Sequence, residues 1–250
     1  MPDVMEGEDK QRQGGIQLAE PPFGAGPQAA LKPTSRKKSK MTRSGKSAKP
    51  APKPGTGEAS TVLSEEAHSA LREKIGARSL VLVGLMGAGK TTVGKRLAHR
   101  LGLSFVDADA AIEEAAGESV SEIFENHGEQ YFREGERRVI ARLLDEGPYV
   151  LATGGGAFMD EGTRENVATK GISIWLHADL DILVERVSRR GGRPLLRKKD
   201  PVQVMKDLMD TRYPIYAQAD IRVESGESSH DAVVEAILHA LKDYFEGQNQ

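Results

Sequence analysis

Cysteine is absent from the 250 residues, and with it go disulfide frameworks, thiol catalysis, iron–sulfur clusters and cysteine-based zinc sites. Long apolar runs are absent too. None approaches the ~20 residues needed to cross a bilayer, and no charged-then-apolar segment of the signal-peptide kind opens the chain. The expectation is a soluble cytoplasmic protein with no membrane partner. Apolar residues are scarce as well, at 38% against 29% charged, with 27 Gly and 12 Pro. So low an apolar share suggests that part of the chain does not fold.

The net charge of -2 conceals an asymmetry. Residues 1–60 carry 11 Lys/Arg against 6 Asp/Glu, while the remaining 190 carry 24 against 31. Between Lys32 and Lys53 there are nine basic residues, no acidic ones and repeated Pro, Gly and Ser. This composition offers too little apolar surface to offset the entropy lost on ordering. Residues 1–60 therefore read as a disordered basic N-terminal arm. A basic arm can bind nucleic acid or an anionic surface. No aromatic residue interleaves with the charges to stack on bases, so the expectation is a solvated tail without a nucleic-acid partner. Met41 lies inside the arm, where a second translational start is conceivable.

Order is expected from Ser64, whose hydroxyl precedes Glu65 and Glu66 and opens a short helix to about Ile75. The stretch Ser79–Val83 is continuously apolar and ends at Gly84, the pattern of a strand buried on both faces. Thr91–Leu101 has helical spacing, and Ser104–Val106 forms a second strand. Helical patterns cover 110–116, 120–127 and about 129–144. Strands are expected at 149–153, 172–176 and 220–223, and helices at 180–188, 202–213 and 232–245. Strands alternating with helices argue for a three-layer αβα domain over about 64–246, with a five-stranded parallel sheet.

The segment Gly84-Leu85-Met86-Gly87-Ala88-Gly89-Lys90-Thr91 matches G-x-x-x-x-G-K-[ST] between an apolar strand and an amphipathic helix. Its glycines let backbone N–H groups surround phosphate oxygens, and the helix adds the positive end of its dipole. Lys90 can reach the β- and γ-phosphates, and Thr91 offers a hydroxyl to Mg²⁺. A dinucleotide fingerprint is excluded, because Thr92 stands where a third glycine is required. Asp107 and Asp109 follow the second strand. As residues i and i+2 of a strand they share a face, so one carboxylate can help hold Mg²⁺ while the other faces a hydroxyl awaiting phosphorylation. The triplet Gly154-Gly155-Gly156 closes the third strand and suggests close approach of backbone to a small ligand, or a tight turn. Arg133, Arg190, Arg193 and Arg212 have the chemistry to clamp a carboxylate and cover phosphates. The six histidines form no ligand spacing, and His127 and His177 read as surface residues.

Taken together these residues resemble shikimate kinase over about 79–245. The P-loop, Asp107-Ala108-Asp109 with Ile112-Glu113, Phe132-Arg133 with Glu136, the glycine triplet, Arg193-Pro194-Leu195-Leu196 and Arg212-Tyr213-Pro214-Ile215-Tyr216 occur in the family's order. The resemblance implies a P-loop NTPase fold like that of nucleoside monophosphate kinases. It implies ATP-dependent, Mg²⁺-assisted phosphorylation of the 3-hydroxyl of shikimate in aromatic amino-acid biosynthesis. Carried over by residue, Met86, Gly87, Ala88, Gly89, Lys90 and Thr91 hold ATP, and Thr91 and Asp107 serve the metal. Asp109 contacts the shikimate hydroxyls and acts with Lys90 and Arg193 in catalysis. Arg133, Gly155 and Arg212 bind shikimate, the arginines chiefly at its carboxylate, and Glu136 orients Arg133. Arg193 belongs to a lid over about 189–200 and approaches the phosphates.

The stretch Gly226–His230 lacks the Arg that some members place near adenine, which leaves the adenine contacts around Ser229 open. A monomer is expected. The alternatives are another small-molecule P-loop kinase, acting on gluconate or a nucleotide, and a non-catalytic nucleotide switch or binding module.

Overall fold

The computed structural model describes residues 63–190 and 200–247, with Arg190 described by its backbone alone. The predicted arm and most of the predicted lid, Arg193 included, lie outside the described residues. Five strands form one parallel sheet in the order β2-β3-β1-β4-β5: β1 Ser79–Val83, β2 Ser104–Asp107, β3 Tyr149–Ala152, β4 Gly171–His177 and β5 Ile221–Glu224. The central strand β1 is bonded on both sides, with Leu80 opposite Val150 on β3 and Ile172 on β4. All five of its residues are buried, which is why it reads as an unbroken apolar run. At the edge, β5 alternates instead: Ile221 and Val223 point inward, Arg222 and Glu224 outward.

Among the described residues eight α-helices cover the sheet: α1 Glu65–Ile75, α2 Lys90–Leu101, α3 Ala108–Ala116, α4 Val120–Glu146, α5 Glu161–Lys170, α6 Leu180–Arg190, α7 Pro201–Tyr216 and α8 His230–Gly247. The chain moves from β1 outward to β2, then back through β3 and across β1 to β4 and β5. Right-handed crossovers taken in opposite directions place their helices on opposite faces. Accordingly α2 packs with α8 and α1, while α4 packs with α3 and α5. Among the described residues no helix is long and apolar enough to cross a membrane.

Three local features differ from the sequence reading. Helix α5 had no counterpart in it, because only Thr163 and Val167 of this helix are buried and no apolar stripe marks it. Strand β2 stops at Asp107, and Asp109 lies in the first turn of α3. The two carboxylates are therefore aimed by a strand-to-helix turn and not by alternation along a strand. His177 is not a surface residue: its side chain is 14% exposed and its Nδ1 lies 2.6 Å from Glu224 Oε2. The predicted break between two helices near residue 128 is present inside α4, where Gly128 has φ 84° and ψ 173°.

Candidate active site

The C-terminal ends of β1, β2 and β3 open into one cleft of about 200 Å³, the edge where open α/β sheets bind ligands. After β1 the chain turns through Gly87 and Gly89, whose φ values of 86° and 90° strain any residue with a side chain. Met86, Gly87, Gly89, Lys90 and Thr91 line the cleft. The Lys90 ammonium donates to the carbonyls of Gly84, at 2.6 Å, and Leu85, at 3.0 Å. It thus sits within the loop's own curve, at the N-terminus of α2. Ala88 departs from the expectation for this segment. It is buried, its N–H goes to Leu85 O, and its carbonyl accepts the Ser225 hydroxyl at 2.8 Å. Ala88 backs the loop from behind.

Asp107 is the N-cap of α3, accepting the Asp109 N–H at 3.2 Å, and its other oxygen accepts the Thr91 hydroxyl at 3.1 Å. One carboxylate thereby links the end of β2 to the first turn of α2. Asp109, one residue into α3, also lines the cleft.

The opposite wall comes from α4 and α7. Arg133 donates to Glu136 Oε2 at 2.6 Å and to Glu129 Oε1 at 3.3 and 3.4 Å, partners three and four residues away on the same helix face. Burial opposes the Arg133 charge, but the two carboxylates outweigh it and hold the guanidinium above its ordinary pKa. Glu136 is only 2% exposed. Burial pushes its carboxyl above the usual range, against the pull of Arg133. Its Oε1 is buried without a hydrogen-bond partner among the described residues. Arg212, from α7, completes the wall, and Val120, Phe124 and Phe132 supply its apolar part. The Phe124 and Phe132 rings lie 4.6 Å apart between centroids.

The glycine triplet has a use that the sequence did not disclose. A Cβ on Gly154 would lie 2.8 Å from both Asp109 Oδ1 and Glu136 Oε1, one on Gly155 3.0 Å from Arg212 Nη1, and one on Gly156 2.5 Å from both Arg133 terminal nitrogens. The close approach is made by the protein's own charged side chains, which lie against the bare backbone after β3.

Of the predicted site residues, Met86, Gly87, Gly89, Lys90, Thr91, Asp107, Asp109, Arg133, Gly155 and Arg212 converge on this cleft, Ala88 stands behind it, and Arg193 lies outside the described residues. Sequence reasoning missed Arg186, which donates from α6 to Ser225 O at 2.9 Å and to Gly87 O at 3.4 Å. One arginine among several in a basic stretch carries no signal of that kind. Ser229, left open as an adenine neighbour, accepts the Ala232 N–H at 3.2 Å at the start of α8.

The shikimate kinase family model matches residues 86–242. The shikimate kinase of Caulobacter vibrioides is 58% identical over 166 residues, covering 66% of this chain and 83% of that protein. That of Bradyrhizobium diazoefficiens is 55% identical over 174 residues, covering 70% and 84%. A solved structure of shikimate kinase from Acinetobacter baumannii in complex with shikimate superposes with a TM-score of 0.65 at 36% identity, covering 69% of this chain and 97% of that one.

Proposed function

The chain belongs to the shikimate kinase family, and from that premise we propose how its residues divide the work. The reaction is ATP-dependent phosphorylation of shikimate in aromatic biosynthesis. The observation that carries the assignment is the convergence on one cleft of a phosphate-binding loop, a pair of carboxylates and two arginines on the far wall.

The loop N–H groups and the N-terminus of α2 receive the ATP phosphates, and Lys90 leaves its two carbonyl partners to meet them. Arg133 and Arg212 grip the substrate carboxylate, with Gly155 beneath the ring. Arg133 is already fixed in direction by Glu136 and Glu129, so little ordering remains when substrate arrives. Asp109 accepts the proton of the attacking 3-hydroxyl as its oxygen bonds to the γ-phosphorus and ADP leaves. Arg193 is assigned to charge developing on the transferring group, on the strength of its sequence context alone.

Thr91 and Asp107 fit Mg²⁺. They offer two hard oxygen donors 3.1 Å apart, and among the described residues no group of three metal-ligating side chains would make a full cage. A cation that keeps water and phosphate ligands suits so sparse a donor set. When bound, Mg²⁺ neutralises phosphate charge. The catalytic unit is assigned to 64–246, acting as a cytoplasmic monomer.

Shikimate, gluconate and nucleoside monophosphates supplied in separate wells of a coupled ADP-release assay test the reading. ADP release with shikimate alone is expected. Release that is equal with all acceptors, or that needs no acceptor, would remove it.

A further inference from the structure

Two arginines face the substrate carboxylate in this reading, and the protein holds them by different means. Arg133 is paired with two carboxylates. Arg212 has no ion pair among the described residues. It lies instead against the bare backbone of Gly155, where a Cβ would come 3.0 Å from Arg212 Nη1. Tyr216 stands one helical turn further along α7, is fully buried, and donates its hydroxyl to the carbonyl of that same Gly155. The phenol thereby holds the peptide on which Arg212 rests, and its donor is used, as a buried hydroxyl requires.

The ring is fixed from the other side. Trp175 lies 6.1 Å and Tyr213 6.2 Å from it between centroids. Tyr213 in turn donates to Ala178 O at 2.5 Å, just past β4. Tyr213 and Tyr216, three residues apart on α7, thus fasten one helix face to the ends of two strands.

We propose that Tyr216 is a positioning residue for the acceptor substrate, anchoring the Gly155 carbonyl and so fixing the bare backbone on which the Arg212 guanidinium rests. The proposal rests on the assignment of Arg212 and Gly155 to shikimate binding and names a residue that acts through them. A neutral phenol serves where a carboxylate would not: it fixes this backbone without adding a negative charge beside Arg212. Arg133 is already paired with Glu136 and Glu129, so Arg212 is the arginine of the two whose charge no carboxylate pairs among the described residues.

Gly155 gains as well. A peptide unit is planar and trans, so the Gly155 carbonyl and the Gly156 N–H point in opposite directions. Anchoring the carbonyl on Tyr216 fixes the plane of the peptide that bears Gly156, the residue on which the Arg133 guanidinium lies. One hydroxyl thereby sets the position of both arginines.

Tyr216→Phe keeps the ring and removes only the hydroxyl. The expected result is a shikimate KM raised roughly 5-fold or more, the size of leaving one buried carbonyl without its hydrogen bond, with ATP KM within twofold of the parent. In an Arg212→Ala background the same substitution should add little further, because the two act as a unit. A shikimate KM within twofold of the parent, an equal rise in both KM values, or full additivity in the double variant would each overturn the proposal. Shikimate-dependent ADP release by the parent separates the two readings. If the parent is active and Tyr216→Phe matches it, the proposal fails; if the parent is inactive with shikimate, the functional assignment fails first. Tyr216→Leu, which disturbs packing, should lower the melting temperature, whereas Tyr216→Phe should raise KM at near-parental melting temperature. A KM rise that merely tracks loss of stability across the two variants would also overturn it.

Discussion

A methyl group on Gly156 would sit 2.5 Å from both terminal nitrogens of Arg133. A guanidinium is the free end of a long side chain, so it can retreat at little cost to the fold, but not without leaving its place. Gly156→Ala should therefore melt close to the parent while raising the shikimate KM roughly 10-fold or more; unchanged binding would mean that Arg133 is not held by this contact. Asp109→Asn should bind ATP normally and lose roughly 10²–10⁴-fold in kcat, measured at saturating shikimate and ATP. Near-normal turnover would leave Asp109 only a role in placing the ring. Glu136 gives the site a pH signature. Burial raises its folded pKa above 4.5, so its contribution to stability is complete below about 4.5 and is lost as pH rises through the folded value. Glu136→Gln should flatten that part of the melting-temperature profile and weaken shikimate binding together. The charges themselves were legible in the sequence, because Asp107, Asp109, Arg133 and Arg212 stand in recognisable patterns. What could not be read was who touches whom. Nothing local to Gly154, Gly155 and Gly156 says that four charged side chains from three helices will rest on them.

Among the elements, α4 shows how far local signals reach. Its start is written as a capping box: Ser119 Oγ accepts the Glu122 N–H at 3.3 Å while Glu122 Oε2 accepts the Ser119 N–H at 2.8 Å. Ser119→Ala should cost about 1 kcal/mol, or about 2–4 °C in melting temperature for a domain of this size. Hydrogen bonds from the Ser119 hydroxyl and amide hold the Glu122 carboxyl below 4.5. The stabilisation is therefore present above that pH and lost as pH falls through the folded pKa, so the gap between parent and variant should narrow in acid. A gap independent of pH would show that the Glu122 half of the box contributes nothing. Gly128, with its non-helical backbone, was readable as a break because glycine both ends and redirects helices. Helix α5 was not readable, since its polar sequence reflects a helix that covers the sheet with two buried side chains. The boundary between β2 and α3 eluded the sequence for another reason: Asp107 is at once the last residue of a strand and the cap of a helix, and periodicity has no symbol for a residue that is both.

For the whole molecule the order of strands mattered most to function, because it brings the ends of β1, β2 and β3 side by side. Alternation of strands and helices announced a parallel sheet; the order was not legible in it, because alternation says nothing of which strands become neighbours. Every described residue lining the cleft falls between 86 and 212, and the curated relatives match about two thirds of the chain. A chain lacking residues 1–60 should therefore keep the parental shikimate-dependent rate of ADP release and melt at the same temperature; a large loss of activity would give the basic arm a part in catalysis. The chain also holds a single tryptophan. Trp175 is buried among Tyr213, Tyr216 and His177, with its indole N–H lacking a partner among the described residues and the Arg222 cation 5.0 Å above its ring. Its fluorescence consequently comes from one dry, fixed environment, one ring away from the hydroxyl that touches Gly155. Emission should be blue-shifted in the folded protein, move to the red in one step on unfolding, and change intensity when the acceptor site fills. The molecule carries its own optical gauge of occupancy, at a position where no label need be attached.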